Sequence, residues 1–238
     1  MTTTTTTDDY CIKPGYRARE RALTIEAEAG SYWNAERIAT AALYQHDVYE
    51  LAADCAARMG DDLRIADVGC GYPQKLLRLQ PRAASLTCFD QPTLAAVVAR
   101  DFPSLRFCPV DLERPAQPAE RFDLVICADV IEHLLAPDPC LHLLRDLLTE
   151  RGILILSTPE RDLVRGADCM SSDKPEHVRE WNRDEFARFV TRGGLDIVDH
   201  LLVPPARLTP FERAEIAARG ERGTRRTEGC QVTVCVRA

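Results

Sequence analysis

The stretch that decides the fold is Arg64-Ile-Ala-Asp67-Val-Gly69-Cys-Gly71-Tyr-Pro-Gln-Lys75-Leu-Leu. An apolar run ends at Asp67, two glycines follow at positions 69 and 71, and a helix-like segment comes next. Glycine lets the backbone turn tightly and approach a ligand without a Cβ in the way. The stretch therefore predicts a buried strand, a tight turn and a helix, with a ligand bound at the turn.

Apolar runs and helix-like segments alternate along much of the chain. The predicted strands cover 63–68, 85–89, 105–110, 122–128 and 152–157, and the predicted helices cover 73–79, 93–100, 138–148 and 183–191. The runs are almost continuous in Val, Ile and Leu, which is typical of strands with helices on both faces of the sheet. Asn182 and Glu185 have capping-box spacing, and Gly193-Gly194 indicates the end of the last helix. We predict a doubly wound α/β sheet.

Two further strands are predicted near the C-terminus, over 195–203 and 231–236. The segment 204–229 between them is rich in Arg, Glu, Gly and Pro, so we expect a loop with a short helix over 211–218. No clear crossover helix connects the two strands. The last strand is therefore most simply antiparallel to its neighbour.

The N-terminal region precedes this alternating pattern. Residues 2–7 are threonines and indicate a frayed tail, whereas 34–59 is Ala-rich, lacks Gly and Pro, and predicts a helical segment. Aromatic and basic side chains lie at Tyr10, Tyr16, Arg17, Arg19, Tyr32 and Trp33. We divide the chain into 1–60, a tail and helical lid segment, and 61–238, the α/β domain. A surface arm or dimer contact is the alternative to a lid.

Composition and charge narrow the function classes. The chain has 238 residues, 45% hydrophobic and 28% charged, which is typical of one globular domain. Its net charge of -7 disfavours nucleic acid and anionic membranes as partners. No apolar run approaches the roughly 18 residues of a membrane span, and the N-terminus lacks a signal-peptide pattern. We expect a cytoplasmic protein.

The ten cysteines are scattered and form no C-x-x-C pair. Several lie inside apolar runs, such as Cys127, where a thiol packs like a small hydrophobic group. We expect reduced core thiols and, because the close ligand spacing is missing, no metal site.

Acidic residues follow four successive predicted strands, at Asp67, Asp90, Asp111 and Asp129. Because the carboxyl ends of parallel strands share one edge of a sheet, this edge is where ligands bind. A helix N-cap or a solvated turn is the alternative for any single acid. The series together predicts a ligand site.

The ordered motifs resemble those of class I S-adenosylmethionine-dependent methyltransferases. They are Asp-Val-Gly-Cys-Gly (67–71), Phe-Asp-Gln (89–91), Val-Asp-Leu (110–112) and Phe-Asp-Leu-Val-Ile-Cys-Ala-Asp-Val-Ile-Glu-His-Leu (122–134). The resemblance covers about residues 63–200. It implies a seven-stranded sheet of order 3-2-1-4-5-7-6 with strand 7 antiparallel. Nicotinamide-binding domains differ, because the third glycine of their G-x-G-x-x-G pattern is Gln74 here.

The resemblance also assigns cofactor-binding roles, with S-adenosylmethionine as cofactor and S-adenosylhomocysteine as product. Asp67 would line the methionine end of the cofactor, and Asp90 would hold the ribose hydroxyls. The other assigned residues are Gly69 and Gly71 (methionine end), Gln91 (adenosine), Asp111 and Leu112 (adenine), and Ala128 and Asp129 (sulfonium). Lys75 is expected to be a solvated helix residue, with pairing to a nearby acid as the alternative.

Methyl transfer from a sulfonium is an in-line displacement, so an enzyme mainly supplies alignment, plus a base where the acceptor is a hydroxyl. His177 and His133 are the candidate bases, with Asp129 as a third catalytic candidate; a structural role stays open for both histidines. Glu160 and Arg161 form either a local ion pair or a substrate contact. Trp181 is expected in the core.

The sequence thus favours an enzyme that methylates a small molecule, at oxygen more than at nitrogen, such as a sugar or a natural-product intermediate. One alternative is a cyclase or lyase that uses S-adenosylmethionine on the same fold. A non-catalytic cofactor-binding protein is another, disfavoured by the intact motif. A homodimer is possible.

Overall fold

The computed structural model describes residues 10–22 and 35–238. Within them, seven strands form one sheet in the order β3-β2-β1-β4-β5-β7-β6, as predicted. The strands are β1 (Leu63–Val68), β2 (Ala83–Asp90), β3 (Arg106–Pro109), β4 (Phe122–Ala128), β5 (Leu148–Pro159), β6 (Leu195–Val203) and β7 (Cys230–Arg237).

Strand direction also follows the prediction. Strands β1 to β5 pair in parallel with one another, whereas β7 is antiparallel to both β5 and β6. The carboxyl ends of β1, β2, β3 and β4 therefore meet at one edge of the sheet, which brings the four acid-bearing loops together.

The helices lie between the strands and at the N-terminus. The α-helices are α1 (Ala35–Thr40), α2 (His46–Met59), α3 (Ala95–Asp101), α4 (Pro137–Asp146), α5 (Arg161–Arg165), α6 (Arg183–Arg192), α7 (Pro210–Arg219) and α8 (Arg225–Glu228). Short 3-10 segments cover Pro73–Arg82, Pro92–Leu94 and Ile131–His133. Helix α6 begins with the predicted capping box of Asn182 and Glu185 and ends at Gly193.

Two local expectations differ from the structure, and two short helices were not predicted. The predicted N-terminal helix is interrupted between α1 and α2, where Gln45 has a left-handed φ of 51°; residue 34 lies outside the described residues. The segment after the glycine loop is 3-10 and not α-helical, and Pro81 near its end lacks an N–H donor for either kind of helix. The short helices α5 and α8 carry no signal that we identified in the sequence.

Helices cover both faces of the sheet, as the continuous apolar runs predict. On one face, α4 and α6 bury Leu141 and Phe189 against β4 and β5, and Cys127 lies in this core. On the other face, α2 buries Val48 and Tyr49 against β1 and β4. The helix α2 thus packs within the same core as the sheet.

The N-terminal segment 10–22 lies against the loop that precedes α6. Ile12 is 5% exposed in the core, Trp181 Nε1 donates to the backbone oxygen of Tyr10 at 2.9 Å, and Arg19 N donates to Val178 at 2.9 Å. Residues 2–7, Tyr32 and Trp33, which the lid hypothesis includes, lie outside the described residues. In the described part of the chain, no helix is long and apolar enough to cross a membrane.

Candidate active site

A cavity of about 810 Å³ lies at the carboxyl edge of the sheet. The predicted site residues that line it are Gly69, Gly71, Asp90, Gln91, Asp111, Leu112, Ala128, Asp129 and His133. Asp67 and His177 are not among its lining residues, because both side chains are buried behind the wall. The sheet thus gathers residues from four separate loops.

The glycine loop after β1 forms one wall of the cavity. Gly69 and Gly71 have φ values of 72° and 54°, which glycine adopts without strain. The amide of Gly69 donates to the backbone oxygen of Phe89 at 2.7 Å. A Cβ at position 69 would lie 2.4 Å from Val130 Cγ2, so both conformation and space require glycine there.

Asp90 extends from the end of β2 and is held by two backbone amides. Its Oδ2 accepts from Gly71 N at 2.8 Å, and its Oδ1 accepts from Gln91 N at 2.7 Å. Burial raises the pKa of Asp90, although these two hydrogen bonds oppose the rise. The carboxylate is therefore fixed in orientation at the cavity wall, while each oxygen keeps a second lone pair for a ligand.

Asp67 lies beneath the glycine loop and is fully buried. Its Oδ2 accepts from Tyr49 Oη at 2.8 Å, whereas its Oδ1 has no hydrogen-bond partner among the residues that the structure describes. Burial raises the pKa of Asp67 to about 7, against the lowering effects of Tyr49 and Lys75. The site therefore contains a buried acid with an unpaired oxygen.

Lys75 is buried, so the expectation of a solvated helix residue is wrong. Its exposed fraction is 8%, and Nζ donates to the backbone oxygen of Ala41 at 2.8 Å and to Gln45 Oε1 at 3.1 Å. Burial lowers the pKa of Lys75, which the charges of Asp67 and Asp129 oppose. The alternative from the sequence, pairing with a nearby acid, does not describe these contacts either, because the two acceptors of Nζ are a backbone carbonyl and an amide oxygen.

Asp129 lines the cavity after β4 with an unusual backbone, since its φ is 53°. Ser157 Oγ donates to its Oδ1 at 2.7 Å, and Gln45 Nε2 donates to its Oδ2 at 3.3 Å. The role of Gln45 is visible only in the structure, because it comes from the break between α1 and α2. Together, Ser157 and Gln45 hold this carboxylate in a left-handed turn.

The two candidate histidines are stacked edge to face, with ring centroids 4.9 Å apart. His133 lines the cavity, and its Nδ1 donates to the backbone oxygen of Glu176 at 2.9 Å. His177 is 3% exposed and lies behind it, with Nδ1 2.5 Å from Glu180 Oε1. Burial, followed by the charge of His177, lowers the pKa of His133 to about 4.

Glu132 is a residue whose role we did not predict, although it lies inside the quoted motif. Its side chain is fully buried, and its Oε2 accepts from Thr158 Oγ1 at 3.0 Å. Its Oε1 has no hydrogen-bond partner within 10–22 and 35–238 and lies 4.0 Å from His133 Nε2. Burial, followed by the charge of Asp129, raises the pKa of Glu132 well above its ordinary value.

The polar residues after β5 lie outside the cavity. Arg161 is fully buried and forms an ion pair with Glu185 at 2.5 Å. The ion-pair alternative therefore describes Arg161, but its partner lies later in the chain than the adjacent Glu160. Glu160 instead caps α5 through Leu163 N at 2.7 Å. Trp181 is fully buried and stacks on Phe189, as the core prediction requires.

Comparison with known proteins agrees with this geometry. A family model described as "Methyltransferase domain" matches residues 42–200, which is more than half of the chain. The chain belongs to this methyltransferase family. Its sheet also has the strand order that the resemblance to class I S-adenosylmethionine-dependent methyltransferases implies.

Among curated proteins, the methyltransferase is similar to the ubiquinone biosynthesis O-methyltransferase of Cereibacter sphaeroides. The two are 27% identical over 154 residues, which cover 58% of this chain and 62% of the relative. The chain therefore spans less than two thirds of that relative's length.

Solved structures share its fold. They include an S-adenosylmethionine-dependent methyltransferase from Mesorhizobium loti, with a TM-score of 0.61, 16% identity, and coverage of 80% of this chain and 98% of that one. The 1,6-didemethyltoxoflavin-N1-methyltransferase of Burkholderia thailandensis, with bound S-adenosylhomocysteine, has a TM-score of 0.55, 18% identity, and coverage of 93% and 94%. The [4+2]-cyclase SpnF has a TM-score of 0.57, 21% identity, and coverage of 79% and 81%.

Proposed function

We propose that this methyltransferase transfers a methyl group from S-adenosylmethionine to a hydroxyl oxygen of a small molecule. The observation that carries the proposal is the single cavity that joins the glycine loop, Asp90, Asp129 and His133. Its volume of about 810 Å³ lies toward the upper end of the range of small-molecule sites, which leaves room for a cofactor and a small acceptor. The similarity to ubiquinone O-methyltransferases supports oxygen as the acceptor atom.

The residues fit the cofactor by their chemistry. Asp90 offers one free lone pair on each carboxyl oxygen, which suits a vicinal pair of ribose hydroxyls. Position 69 must lack a Cβ, as expected where a ligand approaches the backbone closely. The unpaired Oδ1 of Asp67, which lies behind the cavity wall, suits the ammonium end of the cofactor through a bridging group. Asp111 and Leu112 would contact the adenine.

When bound, S-adenosylmethionine supplies an electrophilic methyl group on a positively charged sulfur. Asp129, held by Ser157 and Gln45, places a negative charge at the cavity wall where a sulfonium would be stabilised. His133 is the histidine that faces the acceptor side of the cavity, whereas His177 supports it from behind. The low pKa of His133, caused first by burial, keeps its imidazole neutral near pH 7.

The N-terminal segment acts as a lid in this proposal. Arg21 and Ala22 line the cavity, and the preceding residues are hydrogen-bonded to the loop before α6. A segment that covers the cavity excludes water and completes the acceptor pocket. The proposal keeps the division of the chain at residue 60 and a small-molecule acceptor. It also includes a cytoplasmic location and a homodimer.

The experiment is a transfer assay with methyl-labelled S-adenosylmethionine and a panel of phenols, catechols, sugars and amines. We expect a methylated oxygen product together with stoichiometric S-adenosylhomocysteine, measured by mass spectrometry. A product formed without S-adenosylhomocysteine would indicate a cyclase if it has the mass of the acceptor, and a lyase if it has lost the mass of an eliminated group. Methylation of amines alone would contradict the assignment to oxygen.

A further inference from the structure

Three side chains beside the cavity form a cluster with the composition of a metal site. One nitrogen of His133, one nitrogen of His177 and a carboxylate oxygen of Glu132 all lie within 4.8 Å of one another. Metal bonds of about 2.1 Å would place such atoms about 3.4 Å apart, so side-chain movements of roughly 1 Å would complete the site.

Both imidazoles are already oriented for binding through the same nitrogen. The Nδ1 atoms of His133 and His177 donate to Glu176 O and Glu180 Oε1, which leaves the lone pair of each Nε2 free. Metal-binding histidines have this arrangement, in which a carbonyl or carboxylate fixes the outer nitrogen.

Glu180, whose carboxylate accepts from His177 Nδ1, is itself held in place. Arg165 donates to both oxygens of Glu180, at 3.1 and 3.0 Å. Glu180 is therefore an outer partner of the histidine that an ion pair with Arg165 holds in place.

Glu132 provides the independent observation that a cation belongs here. Its Oε2 is satisfied by Thr158, whereas its buried Oε1 has no protein partner in the described part of the chain and lies near His133 Nε2. Burial of a carboxylate oxygen without a partner lowers the stability of the folded protein, and a bound cation would offset that loss.

We propose that Glu132, His133 and His177 bind one divalent transition-metal ion, such as Zn²⁺ or Mn²⁺, at the wall of the cavity. Two imidazoles with one carboxylate favour this class of ion over Mg²⁺ or Ca²⁺, which prefer oxygen ligands. Three protein ligands leave at least one coordination position open.

The ion would act on the acceptor because His133 lines the cavity. A hydroxyl oxygen at the open position would release its proton to solvent water more easily, since a divalent ion stabilises the resulting oxyanion. The oxyanion would then take the methyl group as the bond from carbon to the sulfonium sulfur breaks, and S-adenosylhomocysteine would leave. This step rests on the proposed function. It assigns His133 the role of a metal ligand that binds the acceptor, in place of the general base expected from the sequence.

The test measures metal binding by the full-length protein after treatment with EDTA and dialysis into metal-free buffer. Calorimetric titration with Zn²⁺, Mn²⁺ and Mg²⁺ should show one site for Zn²⁺ or Mn²⁺ and at least 10-fold weaker binding of Mg²⁺. The same ion should raise the Tm, because it binds the folded state.

Two variants remove one ligand each while keeping its other contact. His133→Asn retains an amide nitrogen near the Nδ1 position for Glu176 O, and Glu132→Gln retains an oxygen for Thr158. The control is His142→Asn, which changes an exposed histidine of α4. We expect His142→Asn to bind like the parent and the two site variants to bind at least 10-fold more weakly.

Absence of metal binding by the parent, or parental affinity in both folded site variants, would overturn the proposal. Circular dichroism and the metal-free Tm establish that each variant is folded; if one is not, the other decides the result. The proposed function fails separately: a parent that binds metal but methylates no hydroxyl acceptor contradicts that function and leaves the metal site intact. Full turnover by a parent that binds no metal contradicts the site alone.

Discussion

At the scale of single residues, Asp90 is the side chain whose geometry most directly indicates cofactor binding. Two backbone amides hold its carboxylate at the cavity wall without using all of its lone pairs. The same two bonds tie the loop after β1 to the end of β2, so the acid and the glycine loop form one unit.

Asp90→Asn should weaken binding of S-adenosylhomocysteine by about 10- to 100-fold, because hydrogen bonds to a charged acceptor contribute roughly 1.5 to 3 kcal/mol each. Calorimetry measures the affinity. Asp196→Asn, at an exposed position of β6, is the matched control and should bind like the parent. If Asp90→Asn binds S-adenosylhomocysteine as tightly as Asp196→Asn, the assignment of Asp90 to the binding site is wrong.

Asp67 is a buried acid that opposes stability. Its pKa, raised to about 7 chiefly by burial, means that the folded state holds a proton that the unfolded state loses near pH 4. The free energy of unfolding therefore falls as pH rises from about 4 to 7, and the whole penalty is present above pH 7.

Asp67→Asn should raise the Tm at about pH 8 and change it little at about pH 4.5, since an amide carries no charge to bury and can still accept from Tyr49. We expect a gain of roughly 1 to 3 kcal/mol at the higher pH. Affinity for the cofactor should fall in the same variant. Parallel Tm curves for the variant and the parent across this pH range would contradict the assignment.

At the scale of elements, the turn from β1 into the 3-10 segment depends on Gly69. Its positive φ and the contact of 2.4 Å that a Cβ would make with Val130 are independent obstacles to any other residue. Gly69→Ala should destabilise the protein by about 1 to 3 kcal/mol and weaken cofactor binding through displacement of Val130 and the loop.

The matched control for this turn is Gly60→Ala, at the end of α2. It also has a positive φ, but no atom lies within 4 Å of a Cβ there. Gly60→Ala should lower stability without changing cofactor affinity, as measured by urea denaturation and calorimetry. Loss of affinity in both variants, or in neither, would contradict a specific role of the contact between position 69 and Val130 in cofactor binding.

The N-terminal segment is the second element with a specific prediction. Ile12→Asp should release residues 10–22 from the core, because a carboxylate would replace a side chain that is 5% exposed. We expect faster trypsin cleavage at Arg17, Arg19 and Arg21 and a lower kcat, while Ile12→Val should resemble the parent. Full activity of the released segment would contradict the lid.

At the scale of the whole molecule, the ten cysteines are all free thiols. The buried ones are Cys70, Cys88, Cys127, Cys140, Cys230 and Cys235. Because they pack as small apolar groups, dithiothreitol should leave the Tm unchanged. A decrease of several degrees, or a mass shift that reveals a bridge, would contradict the expectation of reduced thiols.

The sequence by itself predicted the strands and an antiparallel last strand, and it placed Gly69, Gly71, Asp90, Asp111 and Asp129 at one edge of the sheet. These features follow from local patterns, since apolar runs define strands and parallel strands end on the same side. The order of the seven strands came from the resemblance of the motifs to class I S-adenosylmethionine-dependent methyltransferases, and the structure has that order.

Only the tertiary structure decided the burial and pairing of individual side chains. It buried Lys75 beside Gln45, moved His177 behind His133, and left one oxygen of Glu132 facing the two imidazoles. Burial depends on which distant segment packs over a residue. The loop that brings His177 and Glu180 to Glu132 lies far along the chain, so no local spacing of ligands could reveal the cluster.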